Sequence, residues 1–114
     1  MVGCIFCKIV QKQIPAKIAY EDDYVLAFED VDPQAPVHFL VIPKEHIGTV
    51  LEVDEKHKDI LCKMYEAAAK LAVEKKIDSR GFRLVINTNS EAGQTVFHLH
   101  MHLLGGRHMA WPPG

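Results

Sequence analysis

The chain has 114 residues, 48% of them hydrophobic and 25% charged, with 13 Lys plus Arg against 15 Asp plus Glu for a net charge of -2. That is the size and make-up of one globular domain, residues 1–114, able to bury roughly two-thirds of its unfolded surface and too short for two domains and a linker. The balance excludes the basic field of a nucleic-acid binder and the acidic, aromatic-poor make-up of a disordered chain, and no apolar run approaches the ~20 residues of a membrane span.

The opening segment MVGCIFCKIVQKQ lacks a basic start, a long apolar stretch and a small-residue cleavage site, so no secretory leader is expected and the chain reads as soluble and cytoplasmic. Three cysteines, two of them in Cys4-x-x-Cys7, point in a reducing compartment to metal or redox chemistry rather than a disulfide framework. Residues 4–13 predict a short helical turn with Ile5, Phe6, Ile9 and Val10 as its apolar members, bounded by Pro15. Short strands follow at 18–20 and 25–28, separated by the turn residues Asp22 and Asp23. Asp32-Pro33-Gln34-Ala35-Pro36 is a loop, because each proline removes a donor and fixes its own φ, and 38–42 is a strand closed by Pro43.

One long helix is expected over 54–77, with Asp54 as N-cap and Leu61, Met64, Tyr65, Ala68, Leu71 and Ala72 on one apolar face. Lys75 and Lys76 suit its negative end, and Gly81 lies beyond the stop. Residues 82–86 form a strand, 87–95 a polar loop, 96–104 the last strand, and 107–114 a tail. One long and one short helix against about five mainly antiparallel strands is an α+β architecture.

The segment His98-Leu99-His100-Met101-His102-Leu103 carries the most chemistry. Side chains of a strand alternate faces, so the three histidines share one face and the apolar residues the other. A half-exposed strand that happens to carry histidine is one reading. A metal site using all three rings is another, although rings stacked along one straight strand do not converge easily on one ion.

His98-x-His100-x-His102 followed by Leu103-Leu104 resembles the signature of the histidine triad (HIT) superfamily. The stretches IPAKIAYED, AFEDVDPQAPVHFLVIPKEHI, the 87–95 loop and the ending GGRHMAWPPG are similar to its nucleotide-binding (Hint) branch over nearly the whole chain. The resemblance implies a HIT-like fold and a purine nucleoside phosphoramidase and nucleotide hydrolase. In such proteins the middle histidine, here His100, attacks the α-phosphorus of a nucleoside 5′-phosphoramidate. It forms a nucleotidyl-histidine that water hydrolyses, and a backbone carbonyl fixes its tautomer. Neutral imidazole suits this role because its ordinary pKa of about 6.5 leaves it unprotonated near pH 7.

By the same resemblance His102 binds the phosphate beside the nucleophile, and His38 is the fourth active-site histidine. Asn87, the backbone of Gly93 and the hydroxyl of Thr95 donate to the phosphate or assist the leaving group. Relatives carry serine at the Thr95 position; threonine keeps the hydroxyl and adds a methyl. Asp30 corresponds to the residue that binds the ribose hydroxyls. Ile5, Phe6, Ile9, Phe28 and Leu40 correspond to an apolar slot for the purine, and without the resemblance all five read as core.

Relatives that carry Cys-x-x-Cys bind zinc with two further histidines, one the first of the triad and one after a Pro-Lys step. Here that set is Cys4, Cys7, His46 and His98, a closed structural site. The alternative is two free thiols with His46 in solvent; a thioredoxin-like reading lacks the βαβ context. Cys62 reads as an inert thiol. The family also implies a homodimer with tails reaching toward the partner's site, and Trp111 before Pro112-Pro113 fits an anchored tail, with fraying as the other reading. Two rivals stay open for the function: a dinucleoside polyphosphate hydrolase, and a nucleotide-binding regulatory module with vestigial activity.

Overall fold

The computed structural model describes residues 3–114; Met1 and Val2, which begin the segment read for a leader, lie outside the described residues. Ile5–Val10 forms helix α1, capped by Cys4, whose sulfur accepts the Cys7 N–H at 3.3 Å. Strands β1 (Ile18–Glu21) and β2 (Val25–Glu29) make a hairpin. Its turn is held by Asp22, whose carboxylate accepts the N–H groups of Tyr24 and Val25 at 2.7 and 2.8 Å. Strand β3 (Val37–Pro43), helix α2 (Lys58–Glu74), strand β4 (Phe82–Val85), a short helix α3 (Asn89–Ala92) and strand β5 (Met101–Gly105) complete the chain.

The five strands form one antiparallel sheet in the order β1-β2-β3-β5-β4, the expected α+β class. Alternation gives the sheet two apolar faces. Val25, Ala27, Phe39, Val41, Met101 and Leu103 pack under Met64, Ala68, Leu71 and Ala72 of α2. Leu26, Phe28, Leu40 and Ile42 face the other way, toward Phe6 and Ile9 of α1. Burial of both faces accounts for the continuous apolar run of β3, where only one polar side chain, His38, interrupts it.

Four expectations shift. The helix over 54–77 divides: Asp54 caps a separate 3-10 turn, Glu55–His57, and the His57 ring returns to accept the Asp54 N–H at 3.1 Å. The α-helix proper starts at Lys58, and it stops before Lys76, whose φ of 61° is left-handed and lets the Ile77 N–H close back on the Ala72 carbonyl. Tyr65, placed on the apolar face by periodicity, is 55% exposed, while Ala67 is buried instead. The 87–95 loop contains α3.

The last strand begins at Met101 rather than 96. The partner strand explains this. The Pro43 carbonyl, next in line to accept from the ladder, is taken at 2.8 Å by the His98 ring. The Leu99 N–H bonds to Ile47 O at 2.6 Å instead of to a strand. Leu99 is still buried with Met101 and Leu103 on the α2 side, so the facing pattern outlives the ladder.

Candidate active site and metal centre

His98 is wholly buried and sits where the N-terminal turn meets the end of β3. Its Nε2–H donates to the Pro43 carbonyl, which leaves the Nδ1 lone pair toward Cys4 Sγ at 3.3 Å and Cys7 Sγ at 3.6 Å. His46 Nδ1 lies 3.3 Å from Cys7 Sγ, and the four donor atoms all fall within 4.8 Å of one another. A zinc ion with ordinary bond lengths in a tetrahedron sets each S···N edge near ~3.6 Å, so the spacing and the donor set fit a Cys2His2 site. The bond from the far nitrogen of His98 to a carbonyl is the usual outer partner of a metal-bound imidazole. Burial holds the His98 pKa down to about 4, so the ring is neutral and its lone pair free at neutral pH.

Two residues on, the His98 carbonyl accepts from His100 Nδ1–H at 2.8 Å. That bond puts the lone pair of His100 on Nε2. The ring is packed edge-on to Phe6 at 5.2 Å and stands 5.2 Å from the His102 ring. His102 in turn has Nδ1 2.8 Å from Nε2 of His38. The Asp30 carboxylate lies 3.3 Å from the same His38 nitrogen, and the Gln34 N–H donates to His38 Nδ1 at 3.0 Å. Burial, then repulsion from His100 and His38, lowers the His102 pKa to about 4, and burial lowers that of His38 against the pull of Asp30 and Asp32.

His100 and His102 line one end of an open cleft of about 950 Å³. Register explains its course. Phe28 pairs with Leu40 and Leu40 with His102, so three cross-strand neighbours form a rank on one face of the sheet. Ile5, Phe6 and Ile9 of α1 wall one side, and Asp30 and Thr95 supply polar groups.

A family model described as HIT domain matches residues 11–109. The chain belongs to the HIT family. It is 53% identical over 110 residues to an uncharacterized HIT-like protein of Synechococcus elongatus, covering 96% of both chains. It is 50% identical over 103 residues to the purine nucleoside phosphoramidase of Escherichia coli, covering 90% of this chain and 87% of that one. Among solved structures, a HIT family hydrolase from Legionella pneumophila superposes with a TM-score of 0.96 at 50% identity, covering 98% of this chain and 100% of that one. These relatives and the sheet order agree with the HIT-like fold expected from the histidine pattern. Among the described residues, no helix of this HIT protein is long and apolar enough to cross a membrane.

Of the residues singled out by sequence, Ile5, Phe6, Ile9, Phe28, Asp30, Leu40, Thr95, His100 and His102 line the cleft. His38 stands behind His102 rather than in the wall. Asn87, just after β4, and Gly93, the left-handed C-cap of α3, are not among the lining residues. Cys62 is exposed.

Sequence reasoning gave no site role to Ile14, Pro15 and Ala16, which line the cleft beyond the end of α1. It also passed over Gln94. That amide is buried and ties its own loop to the start of α3 and to the loop after β3, accepting from Asn89 N–H and donating to the carbonyls of Gly48 and Val96. A glutamine between Gly93 and Thr95 gives no periodic signal; only its burial reveals the task.

If the four-residue cluster holds zinc as a closed structural site, the purified protein carries about one equivalent per chain and Cys7→Ser loses it. Chelation then lowers the melting temperature before it affects any activity. Protein that stays metal-free after refolding with zinc would remove this assignment.

A histidine whose folded pKa lies below its unfolded value takes up protons more readily when unfolded. From pH 6.5 down to about 4, His102 therefore favours the unfolded chain, and above that window it contributes nothing to the pH dependence. The melting temperature should fall on acidification through this window, and His102→Asn should fall less steeply. Parallel melting curves for the two proteins between pH 7.5 and 4.5 would contradict the buried neutral state.

Proposed function

We propose that this HIT protein is a hydrolase of purine nucleoside 5′-phosphoramidates that works in the cytoplasm through a covalent nucleotidyl intermediate on His100. The observation that carries the reading is the bond from His100 Nδ1–H to the His98 carbonyl, which leaves a bare Nε2 lone pair in a cleft built on an apolar rank. The similarity to the phosphoramidase of Escherichia coli supports the same reaction. Cytoplasmic placement rests on the paired Cys4 and Cys7, which keep their thiols free for a metal in a reducing compartment.

The rank from His102 through Leu40 to Phe28 crosses two strand spacings, ~10 Å, which suits a nucleotide with its phosphate at β5 and its base at β2. Ile5, Phe6 and Ile9 above and Phe28 and Leu40 below bury a flat purine. Asp30 accepts from the ribose hydroxyls. His100 Nε2 attacks the α-phosphorus, an N–P bond forms, and the P–N bond breaks with its electron pair leaving on the amine. The amine takes up a proton delivered from solvent at the Thr95 hydroxyl. His102 donates to a phosphoryl oxygen, with His38 behind it. Water then attacks phosphorus and gives up a proton to solvent, the histidine takes back its electron pair, and the nucleoside monophosphate departs. Asn87 and the backbone of Gly93 enter as phosphate donors by resemblance alone. Zinc held by Cys4, Cys7, His46 and His98 would supply a cross-link that fixes the segment carrying His100.

His100→Ala should retain the fold and lose roughly 10⁴-fold or more in turnover of a fluorogenic adenosine phosphoramidate. Wild-type protein quenched during turnover should carry a nucleotidyl mass on His100. Near-normal rates in the variant, or faster turnover of a diadenosine polyphosphate by the wild type, would set this reading aside.

The protein acts as a homodimer in this reading. Strand β4 is a sheet edge, Phe82 on it is 38% exposed, and Trp111 in the tail is 83% exposed, which leaves both available to a second copy. Sedimentation equilibrium should give twice the chain mass at micromolar concentration. Deletion of residues 110–114 should alter substrate selectivity more than melting temperature. A monomer in solution would end the dimer proposal.

A further inference from the structure

The loop between β2 and β3 meets the segment after β5 at one point. Arg107 Nε–H donates to the Gln34 carbonyl at 3.0 Å, and its other arm donates to the His108 carbonyl at 3.0 Å. Gly106, at φ 88°, allows the approach: a Cβ there would sit 3.0 Å from Pro36. The same residue, Gln34, sends its backbone N–H behind the cleft wall, to His38 Nδ1 at 3.0 Å.

A backbone N–H can only donate. His38 Nδ1 must therefore accept, and the proton of the neutral ring lies on Nε2. That Nε2–H faces His102 Nδ1 at 2.8 Å, so His102 Nδ1 must accept in its turn and its proton lies on Nε2. Asp30, 3.3 Å from His38 Nε2, is a second acceptor for the same proton and agrees with the assignment. The whole chain of donors is set by one amide.

We propose that Gln34, clasped at its carbonyl by Arg107, is through its backbone N–H a tautomer lock that makes His102 a fixed Nε2–H donor to the cleft and bars it from serving as a proton source. Were His102 to surrender its Nε2 proton, it would have to draw one onto Nδ1 from His38. His38 would then hold no proton on either nitrogen, because the amide at its Nδ1 cannot part with its own. A cationic state is barred as well, since a proton on His38 Nδ1 would meet the Gln34 N–H, and one on His102 Nδ1 would meet the His38 N–H. Arg107 and Gln34 are thus positioning residues that act through His38. The catalytic meaning of the lock rests on the phosphoramidase reading above; the tautomers themselves do not.

The test is long-range 1H–15N correlation on metal-loaded protein labelled at histidine nitrogens, run beside steady-state kinetics on an adenosine phosphoramidate. The wild type should show His38 and His102 as Nε2–H tautomers and His100 as Nδ1–H. Replacing the Gln34 amide by an ester removes the donor and changes no side chain; Arg107→Ala loosens the clasp by a separate route. Both should give mixed tautomers at His38 and His102. Both should lower kcat by about tenfold or more, with KM changed by less than about twofold. A wild-type His102 protonated on Nδ1, or an ester variant with unchanged tautomers, would overturn the lock. Shifted tautomers with unchanged kcat would overturn its role in turnover. The expected tautomers in a protein that turns over no phosphoramidate would support the lock and defeat the functional reading instead.

Discussion

The bond between the His98 ring and the Pro43 carbonyl is the constraint on which the site depends. It takes the acceptor that would have extended the β3–β5 ladder, so the strand starts at Met101 and the residues before it are free to turn. It also fixes the proton of His98 on Nε2, and only then does Nδ1 have a lone pair for the cysteine pair. The carbonyl of the same residue orients His100. One residue therefore joins the α1 cap, the end of β3 and His100. A disturbance at Cys4 or Cys7 reaches His100 through two bonds of His98 and through Phe6, which packs edge-on to both rings.

The cleft follows from sheet geometry more than from any single side chain. Alternation on β2, β3 and β5 sends Ala27, Val41 and Met101 under α2, and Phe28, Leu40 and His102 to the other face. The large helix seals the first set completely. The second set meets α1, only six residues long, with Ile14, Ala16 and Val96 beside it, and this thin cover leaves a cleft along the rank ending in His102. A short helix on a five-stranded sheet cannot cover one face, and the uncovered part is where a flat apolar ligand gains most by burial.

Much of this was legible in the sequence. Strict alternation through His98 to His102 separates the two faces whether or not the segment pairs as a strand. The apolar spacing of Met64, Ala68, Leu71 and Ala72 marks the covering helix because packing follows the same 3.6-residue period. The boundaries were less legible, since a second capping device at His57 divides a periodic stretch that looks continuous. Least legible were the residues whose work is done by the backbone. Nothing in the letters DPQAP says that the Gln34 amide meets His38, and nothing in GGR says that Arg107 holds that loop. Such contacts depend on where two distant loops cross, which local pattern does not encode.

The backbone also explains how two histidines of the same segment, two residues apart, take opposite parts. Their rings stand 5.2 Å apart and neither differs from the other in chemistry. His100 Nδ1 faces a carbonyl, so its Nε2 is a lone pair. His102 Nδ1 faces an N–H that traces back to an amide, so its Nε2 is a proton. Exchange of charge states cannot produce this polarity, because a cation at either ring would present the same N–H on both edges. Neutral rings with opposed tautomers place an open lone pair and an N–H donor side by side without the repulsion that two imidazolium groups at this spacing would carry.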